Sequence, residues 1–356
     1  MNTSIRNTVI AGLMTIPSTL IAGTVTTDGA DLVIKTKGGF EAKTTDGQHS
    51  FALGGRIQWD YNQAQLNGET DEDDLAIRRA RIFVKGTVAK DWAYKAQFNI
   101  GNGNGGEPED LYIRYKGFGK AAQITVGRQK VAFGLEEMTS SKDITALERS
   151  GITEQYAIGR NDAITLHGKQ GLINYSVSAF EDGDAASDND FALAGRVTLT
   201  PYVKDQTLIH VGAGYADRAD DRKTANIELA ANIGSVSLQT EYFDEEQGAD
   251  DRDGYYAQVG WVITGESRPY KDGKFKRIKP ASENGAWEVF ARYEDGNGNH
   301  SDIELGSVDA EAYSVGVNWY ANSNIRIGMN YSEGESQEAG SSDEGEEFRM
   351  RLQLTF

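Results

Sequence analysis

The sequence predicts an all-β protein that forms a transmembrane antiparallel β-barrel of about sixteen strands. Three observations lead to this prediction: short runs alternate apolar and polar side chains, these runs number about sixteen, and long polar connections alternate with short ones. The composition suits strands and turns, because the 356 residues include 41 Gly, 16 Tyr and 13 Phe but only 5 Pro.

The N-terminus, residues 1–23, is predicted to be a secretory signal peptide. Arg6 precedes the mostly apolar run VIAGLMTIPSTLI, and the small residues Ala22 and Gly23 follow. This run is too short to span a bilayer. Cleavage near Gly23 would leave residues 24–50 as an N-terminal periplasmic segment before a barrel at residues 51–356. The chain has a net charge of −18, so nucleic acid is not expected as a partner.

Two runs show the alternation of a membrane strand. FALGGRIQWDY (51–61) carries apolar side chains at odd positions, and FRMRLQLTF (348–356) carries them at even positions. Each run is about as long as a tilted membrane strand, which needs about 9–11 residues. The same pattern gives candidate strands at residues 51–61, 79–88, 92–100, 110–115, 123–128, 163–169, 174–180, 191–200, 208–215, 224–233, 236–243, 254–263, 287–293, 313–320, 325–331 and 348–356.

The connections between these strands alternate in length, as they do in bacterial outer-membrane barrels. The odd-numbered connections are predicted to be long outer loops, and they contain the acidic runs GETDEDD (68–74), EDGDAASDND (181–190), DEEQGADDRD (244–253) and EGESQEAGSSDEGEE (333–347). We expect most of these acidic side chains to be solvated, with bridging to lipopolysaccharide through divalent ions as an alternative. Most even-numbered connections are short, and residues 264–286 are the exception.

Residues 129–162 form the longest stretch without alternation. The stretch nevertheless retains apolar side chains at Val131, Phe133, Leu135, Ile144 and Leu147. Long ordered loops in β-rich proteins usually serve function. We therefore predict that this third outer loop folds into the lumen and narrows it.

Basic side chains are expected to line that lumen. Strand parity directs Arg56, Arg79, Arg81 and Lys85 inward, opposite the apolar positions. Residues 264–286 hold six basic and three acidic side chains, although the chain as a whole is acidic. Cationic groups in a narrow pore attract anions.

Several motifs resemble those of the phosphate-selective porin family, in order and from end to end. They include LGGRIQWDY (53–61), IRRARIFVKG (77–86), FGLEEMTSSKDITALERS (133–150) and GVNWYAN (316–322). The resemblance implies a sixteen-stranded outer-membrane porin, usually a homotrimer, for passive diffusion of small anions such as phosphate. It also implies that residues 264–286 enter the lumen from the periplasmic side. The family's pore-lining positions fall on Arg56, Arg78, Arg79, Thr139, Ser140, Ser141, Lys142, Arg149, Lys271 and Lys279.

Two departures from the family pattern leave ion selectivity open. Glu137, beside Glu136, stands where phosphate-selective members place a lysine, and residues 216–223 are too short for their arginine-rich fifth outer loop. A general diffusion porin with weak or cation preference is therefore the alternative within the same fold.

Two other classes of protein are more distant alternatives. One is an exported soluble β-rich binding protein, and the other is a membrane-embedded hydrolase that would need a serine beside His167 or His210. The chain has no Cys and only four scattered His, so we expect no metal, no cofactor and no enzymatic activity.

Overall fold

The structure is a computed structural model that describes residues 23–25, 31–36, 39–101, 106–182, 191–219, 221–248, 250–300, 306–338 and 341–356. The predicted signal peptide, apart from Gly23, lies outside the described residues. So does most of the predicted acidic loop at 181–190, of which only residues 181 and 182 are described.

Three short strands precede the barrel and extend its sheet. They are β1 (Gly23–Val25), β2 (Leu32–Lys35) and β3 (Phe40–Thr44), and they pair as an antiparallel meander. Residues 40–43 of β3 pair with residues 50–53 of the next strand, β4 (Ser50–Leu66). The N-terminal segment is thus hydrogen-bonded to the start of the barrel wall.

Sixteen strands, β4 to β19, form a closed antiparallel barrel in which each strand pairs with the next along the chain. β19 pairs with β4 from Thr355 opposite Arg56 to Gly345 opposite Leu66, which closes the barrel. All sixteen candidate strands are confirmed. The strands after β4 are β5 (Glu69–Val88), β6 (Trp92–Asn99), β7 (Glu107–Tyr115), β8 (Gln123–Lys130), β9 (Arg160–Gln170), β10 (Ile173–Glu181), β11 (Phe191–Lys204), β12 (Thr207–Asp217), β13 (Arg222–Ile233), β14 (Val236–Gln247), β15 (Asp250–Val262), β16 (Ala286–His300), β17 (Gly306–Tyr320), β18 (Ile325–Glu338) and β19 (Ser341–Thr355).

The two faces of the wall have opposite polarity. On β4, Ile57 and Trp59 are 39% and 48% exposed, whereas Gln58 and Asp60 between them are 0% and 4% exposed. Apolar side chains therefore cover the outside of the barrel and polar side chains fill its inside, which is the arrangement of a barrel that sits in lipid.

Several predicted outer loops are in fact long hairpins. β4 and β5 continue to Leu66 and Glu69, so residues 62–78 form a hairpin around the two-residue turn Asn67 and Gly68. β14 with β15 and β18 with β19 extend in the same way through the predicted loops 244–253 and 332–347. The alternation of apolar side chains ends where lipid contact ends, but backbone pairing continues into water. The sequence prediction therefore stopped these strands too early.

Two long irregular segments interrupt this pattern. The β8–β9 segment, residues 131–159, contains the short helices α1 (Leu135–Met138) and α2 (Gly151–Tyr156), and the β15–β16 segment spans residues 263–285. The Ser150 hydroxyl caps α2 by accepting a hydrogen bond from the Thr153 amide at 2.8 Å. Neither helix, nor any other in the described part of the chain, is long and apolar enough to cross a membrane.

The buried apolar clusters join these two segments to the barrel wall. In the β8–β9 segment, Phe133 and Tyr156 pack against Phe243 of β14, and the ring of Tyr156 stacks on that of Phe243 at 5.3 Å. In the β15–β16 segment, Ile278 packs with Tyr320 of β17. Apolar packing thus holds both segments against residues of the wall.

We predict that an alanine at Gly55 weakens the closure of the barrel. A Cβ atom at this position would lie 2.5 Å from the Arg81 carbonyl oxygen and 2.7 Å from the Phe356 ring, so the seam between β19 and its neighbours must shift. Such overpacking costs about 1–3 kcal/mol. The unfolding midpoint of Gly55→Ala in urea, measured in detergent, should fall below that of the parent.

Gly195→Ala is the matched control for this prediction. Gly195 also lies in a strand, but the nearest atom to its Cβ position is the Ser176 carbonyl oxygen at 3.9 Å, which is ordinary contact. Equal unfolding midpoints for the two variants would contradict a tight seam at Gly55.

Candidate functional site

Buried arginines on the wall bind the backbone of the β8–β9 segment. The Arg326 guanidinium on β18 donates to the carbonyl oxygens of Ile144, at 2.7 Å, and of Thr145. The Arg351 guanidinium on β19 donates to the Leu147 carbonyl oxygen. Irregular backbone leaves carbonyl groups without partners, and these arginines supply the missing donors. The segment is thereby fixed to strands β18 and β19 of the wall.

A carboxylate holds the other side of this segment. The Glu241 side chain on β14 accepts hydrogen bonds from the backbone amides of Leu135 and Glu136, at 2.5 and 2.8 Å. These amides belong to the first turn of α1, where no carbonyl group of the helix can serve as acceptor. The β8–β9 segment is therefore anchored to β14 as well as to β18 and β19.

The β15–β16 segment is anchored to the wall and to its neighbour. Arg196 on β11 donates to the Gly273 carbonyl oxygen at 2.9 Å, and Asn232 on β13 donates to the Arg268 carbonyl oxygen at 2.6 Å. Arg268 in turn donates to the Asp143 carbonyl oxygen of the β8–β9 segment at 3.3 Å. The two segments therefore support each other.

The two segments and strands β4 to β9 enclose a cavity of about 620 Å³, which we call the cationic chamber. Twelve cationic side chains line it, against the two acidic ones of Asp110 and Asp143. Ser140 and Ser141 add hydroxyl groups. The cationic side chains are those of Arg56, Arg79, Arg81, Lys85, Lys95, Arg114, Lys130, Lys142, Arg149, Arg160, Lys274 and Lys276.

Half of these cations are neutralised by carboxylates and half are not. Lys95 and Arg160 both bind Asp110, for example, at 2.5 and 2.9 Å. Arg81 pairs with Glu109, and Lys130, Arg149 and Arg79 pair with carboxylates of the β8–β9 segment. Among the residues that the structure describes, six chamber cations have no carboxylate oxygen within 4.0 Å: Arg56, Lys85, Arg114, Lys142, Lys274 and Lys276.

A second cavity of about 750 Å³ adjoins the cationic chamber. The two share five lining residues, among them Arg114, Lys130 and Lys274, and we call the two cavities together the passage. Lys120 and Lys271 line the second cavity but not the cationic chamber. The passage is thus basic on both sides of Lys274.

The structure brings several of the sequence-predicted site residues together. Arg56, Ser140, Ser141, Lys142 and Arg149 all line the cationic chamber, and the Arg56 guanidinium donates to the Ser140 hydroxyl at 3.3 Å. Each was identified from a motif, and strand parity indicated Arg56 independently.

Others of the predicted residues lie elsewhere. The Thr139 hydroxyl is fully buried and donates to the Leu135 carbonyl oxygen, so it supports α1 instead of lining the chamber. Lys279 lines a third cavity together with Lys35, Lys85 and Arg277, near the N-terminal meander. Lys271 lines the second cavity.

Arg78 and Arg79 differ in position because a bulge interrupts the pairing of β5 with β4. Gln58 pairs with Arg79 and Trp59 pairs with Ile77, so Arg78 is the extra residue. Its side chain is 48% exposed, whereas that of Arg79 is 7% exposed. Both guanidinium groups nevertheless bind the same carboxylate, that of Glu148.

Sequence reasoning missed six chamber cations, those of Lys95, Arg114, Lys130, Arg160, Lys274 and Lys276. Lys130 and Arg160 were counted only in the net charge of residues 129–162. Lys274 and Lys276 were counted only in the net charge of residues 264–286. Lys95 and Arg114 occupy polar positions in the alternating pattern of two predicted strands, 92–100 and 110–115. Extending the parity argument to β6 and β7 would have found both.

Glu136 and Glu137 do not carry free negative charge into the chamber. Lys130 and Arg149 bind the Glu137 carboxylate at 2.6 and 2.9 Å. Burial alone would raise the pKa of Glu137, but these two cations outweigh it and hold the pKa below its ordinary value. The Glu136 carboxylate is 1% exposed and accepts hydrogen bonds from the Ser150 amide and the Thr153 hydroxyl.

The two strand histidines have partners that do not suit hydrolysis. His210 lies between Glu228 and the Tyr270 hydroxyl, and His167 is hydrogen-bonded to Thr125. Within the described ranges, no serine is hydrogen-bonded to either ring, and no group of three or more acidic or histidine side chains could hold a metal ion.

Comparisons with known proteins agree with this architecture. The sequence model of the family "Phosphate-selective porin O and P" matches residues 51–252 and 216–356. "Porin O" of Pseudomonas aeruginosa is 34% identical, over 94% of this chain and 95% of that protein. An uncharacterized protein of Caulobacter vibrioides is 23% identical, over 81% of this chain and 69% of that protein.

Solved structures of outer-membrane proteins share the fold at low sequence identity. OmpT, an outer membrane protein of Vibrio cholerae, superposes with a TM-score of 0.60 at 12% identity, covering 87% of this chain and 98% of that chain. An anion-selective porin from Comamonas acidovorans superposes with a TM-score of 0.58 at 14% identity, covering 86% and 100%. The chain is therefore a member of the phosphate-selective porin O and P family and an integral protein of the outer membrane.

Proposed function

We propose that this porin conducts small anions by passive diffusion, with phosphate among them. The observation that carries the proposal is the set of six chamber cations without a carboxylate within 4.0 Å, Arg56, Lys85, Arg114, Lys142, Lys274 and Lys276. A passage lined by one sign of charge and walled by protein focuses the field and concentrates counter-ions.

The two anchored segments supply the constriction in this proposal. The β8–β9 segment acts as the inward-folded constriction loop, and the β15–β16 segment enters the lumen from the periplasmic side. Apolar packing and buried arginines fix the constriction loop, so Ser140, Ser141 and Lys142 face the passage in a constant arrangement. An anion there would exchange part of its hydration shell for hydroxyl and ammonium donors.

Phosphate is the anion that we propose as the conducted solute. It accepts many hydrogen bonds and carries more charge than chloride at neutral pH. Arg56 and Lys142 supply the charge beside the hydroxyl groups of Ser140 and Ser141. Lys271 and Lys279 would act as basic residues on the periplasmic side of the passage. Porin O of Pseudomonas aeruginosa belongs to the same family, which supports the class of solute.

The alternative is general diffusion with weak or cation preference. The exposed acidic side chains of the outer hairpins, such as Asp73 and Asp74, favour cations at the mouth. Glu136 and Glu137 give this alternative little support because both carboxylates are buried and bound. The sign of the reversal potential under a salt gradient, measured on purified protein in a planar bilayer, decides between the two.

The assembly of the porin is part of the same proposal. We infer a homotrimer whose outward apolar band contacts outer-membrane lipid and lipopolysaccharide, after export through a signal peptide at residues 1–23. The trimeric form named for OmpT of Vibrio cholerae concerns a protein of the same fold. An oligomer band that resists detergent and N-terminal sequencing of the mature protein test these points.

Replacing Lys274 by glutamine should reduce the anion-to-cation permeability ratio by about two-fold, the scale of one unit charge acting across a largely aqueous lumen. Lys274 lines both cavities of the passage and lacks a carboxylate within 4.0 Å among the described residues. Reversal potentials of single channels measure this ratio. Lys204→Gln, an exposed change at the end of β11, removes the same charge away from the passage. A similar loss in both variants would contradict the role of Lys274.

The anion preference should also fall as the pH rises from about 7 to about 9, the range in which a lysine of lowered pKa loses its proton. Burial, reinforced by Lys276 and Arg196, lowers the pKa of Lys274 to about 8. The side chain is therefore cationic below this pH and neutral above it. The Lys274→Arg variant stays charged throughout. If the parent and Lys274→Arg gave the same pH profile of reversal potential, Lys274 would not be the titrating group.

A further inference from the structure

Glu148, in the β8–β9 segment, lies at the centre of a group of four arginines. Arg79 binds both of its oxygens, at 2.7 and 2.8 Å, and Arg351 binds one of them at 2.5 Å. Arg78 and Arg349 approach the same carboxylate at 3.3 and 3.5 Å. One negative charge thus faces four positive charges on strands β5 and β19.

The other carboxylates nearby serve only two of these arginines. Asp60 binds Arg351 at 2.5 Å and lies 3.8 Å from Arg349, and Glu347 binds Arg349. In the described part of the chain, Glu148 is the only carboxylate within 4.0 Å of Arg78 or Arg79. The single charge of Glu148 is therefore shared by both arginines and offsets their charge only in part.

We propose that Glu148 is an internal counter-ion that sets the anion selectivity of the pore by withdrawing Arg78 and Arg79 from passing anions. The inference rests on the proposed anion conduction and extends it to a residue outside the pore-lining positions that the family resemblance implies. Arg79 lines the cationic chamber, and the Glu148 side chain is 22% exposed. The carboxylate thus occupies the position in which a permeating anion would meet both guanidinium groups.

The backbone around Glu148 has its own supports. Arg351 donates to the Leu147 carbonyl oxygen, and Arg292 on β16 donates to those of Glu148 and Arg149 at 3.1 and 3.4 Å. None of these bonds uses the Glu148 carboxylate. A neutral side chain of the same shape should therefore leave the segment in place and change mainly the charge.

The test is the permeability ratio of Glu148→Gln, read from the reversal potential of single channels in a salt gradient. We expect the anion-to-cation ratio to rise by about two-fold or more, since two arginines become available to anions. The entry of a small uncharged sugar into liposomes should stay as in the parent. Glu333→Gln removes the same charge from an exposed position on β18 and should change neither quantity.

Two results would overturn the proposal: an unchanged permeability ratio in Glu148→Gln, or a rise in ratio accompanied by faster sugar entry, which would mean that the segment has moved. The sign of the parent's own reversal potential tests the proposed anion conduction separately. A cation-preferring parent whose ratio still shifts toward anions in Glu148→Gln would reject the proposed function and keep the role of Glu148.

A second variant keeps the proposal testable if Glu148→Gln yields no channel. Arg78→Gln should lower the ratio less than Lys142→Gln does, because Glu148 offsets part of the charge of Arg78, whereas Lys142 has no carboxylate oxygen within 4.0 Å among the described residues. An equal loss in Arg78→Gln and Lys142→Gln would overturn the proposal. Where Glu148→Gln does form channels, adding Arg78→Gln to it should reverse part of the gain.

Discussion

Closure of the backbone ladder between β4 and β19 is the constraint on which the rest of the structure depends. In lipid, an unpaired backbone group has no water to bind, so a membrane sheet must close on itself. The pairing from Thr355 opposite Arg56 to Gly345 opposite Leu66 provides this closure. Once the barrel is closed, alternate side chains must face lipid, and the polar half of every strand is directed into the lumen.

Polar side chains in a lumen can supply the hydrogen-bond partners that irregular backbone lacks. In this porin, arginines donate these hydrogen bonds. Arg326 and Arg351 satisfy the carbonyl groups of the β8–β9 segment, and Arg196 satisfies one of the β15–β16 segment. Guanidinium groups suit this role because each carries five donors in a fixed plane and stays charged. Basic residues inside the barrel therefore fall into three groups: those that hold the segments, those that pair with carboxylates of the wall, such as Lys95 with Asp110, and those without a carboxylate partner among the described residues.

The sequence predicted where the strands lie but not where they end. Alternation such as Trp59 beside Gln58 records which side chains meet lipid, and it identified all sixteen strands. Alternation no longer marks the strands beyond the lipid boundary, where β4 and β5 run on to the turn at Asn67. Motif resemblance found Arg56 and Lys142 in the chamber. Lys274 was harder to predict, because its place depends on contacts between segments far apart in the chain.

Counting charges along a segment gives the wrong picture of a pore, because a passing ion responds mainly to the charged side chains that line the passage. Residues 129–162 hold four basic and six acidic side chains, which by number favours cations. In the folded barrel, Glu137 is bound by Lys130 and Arg149, and Glu148 by arginines of β5 and β19. Lys142 of the same segment has no such partner among the described residues. Within this stretch the chamber is lined by one acidic side chain, that of Asp143, and by the four basic ones of Lys130, Lys142, Arg149 and Arg160. Residues 129–162 therefore present a basic surface to the chamber although their net charge is negative, because their other acidic side chains do not line it.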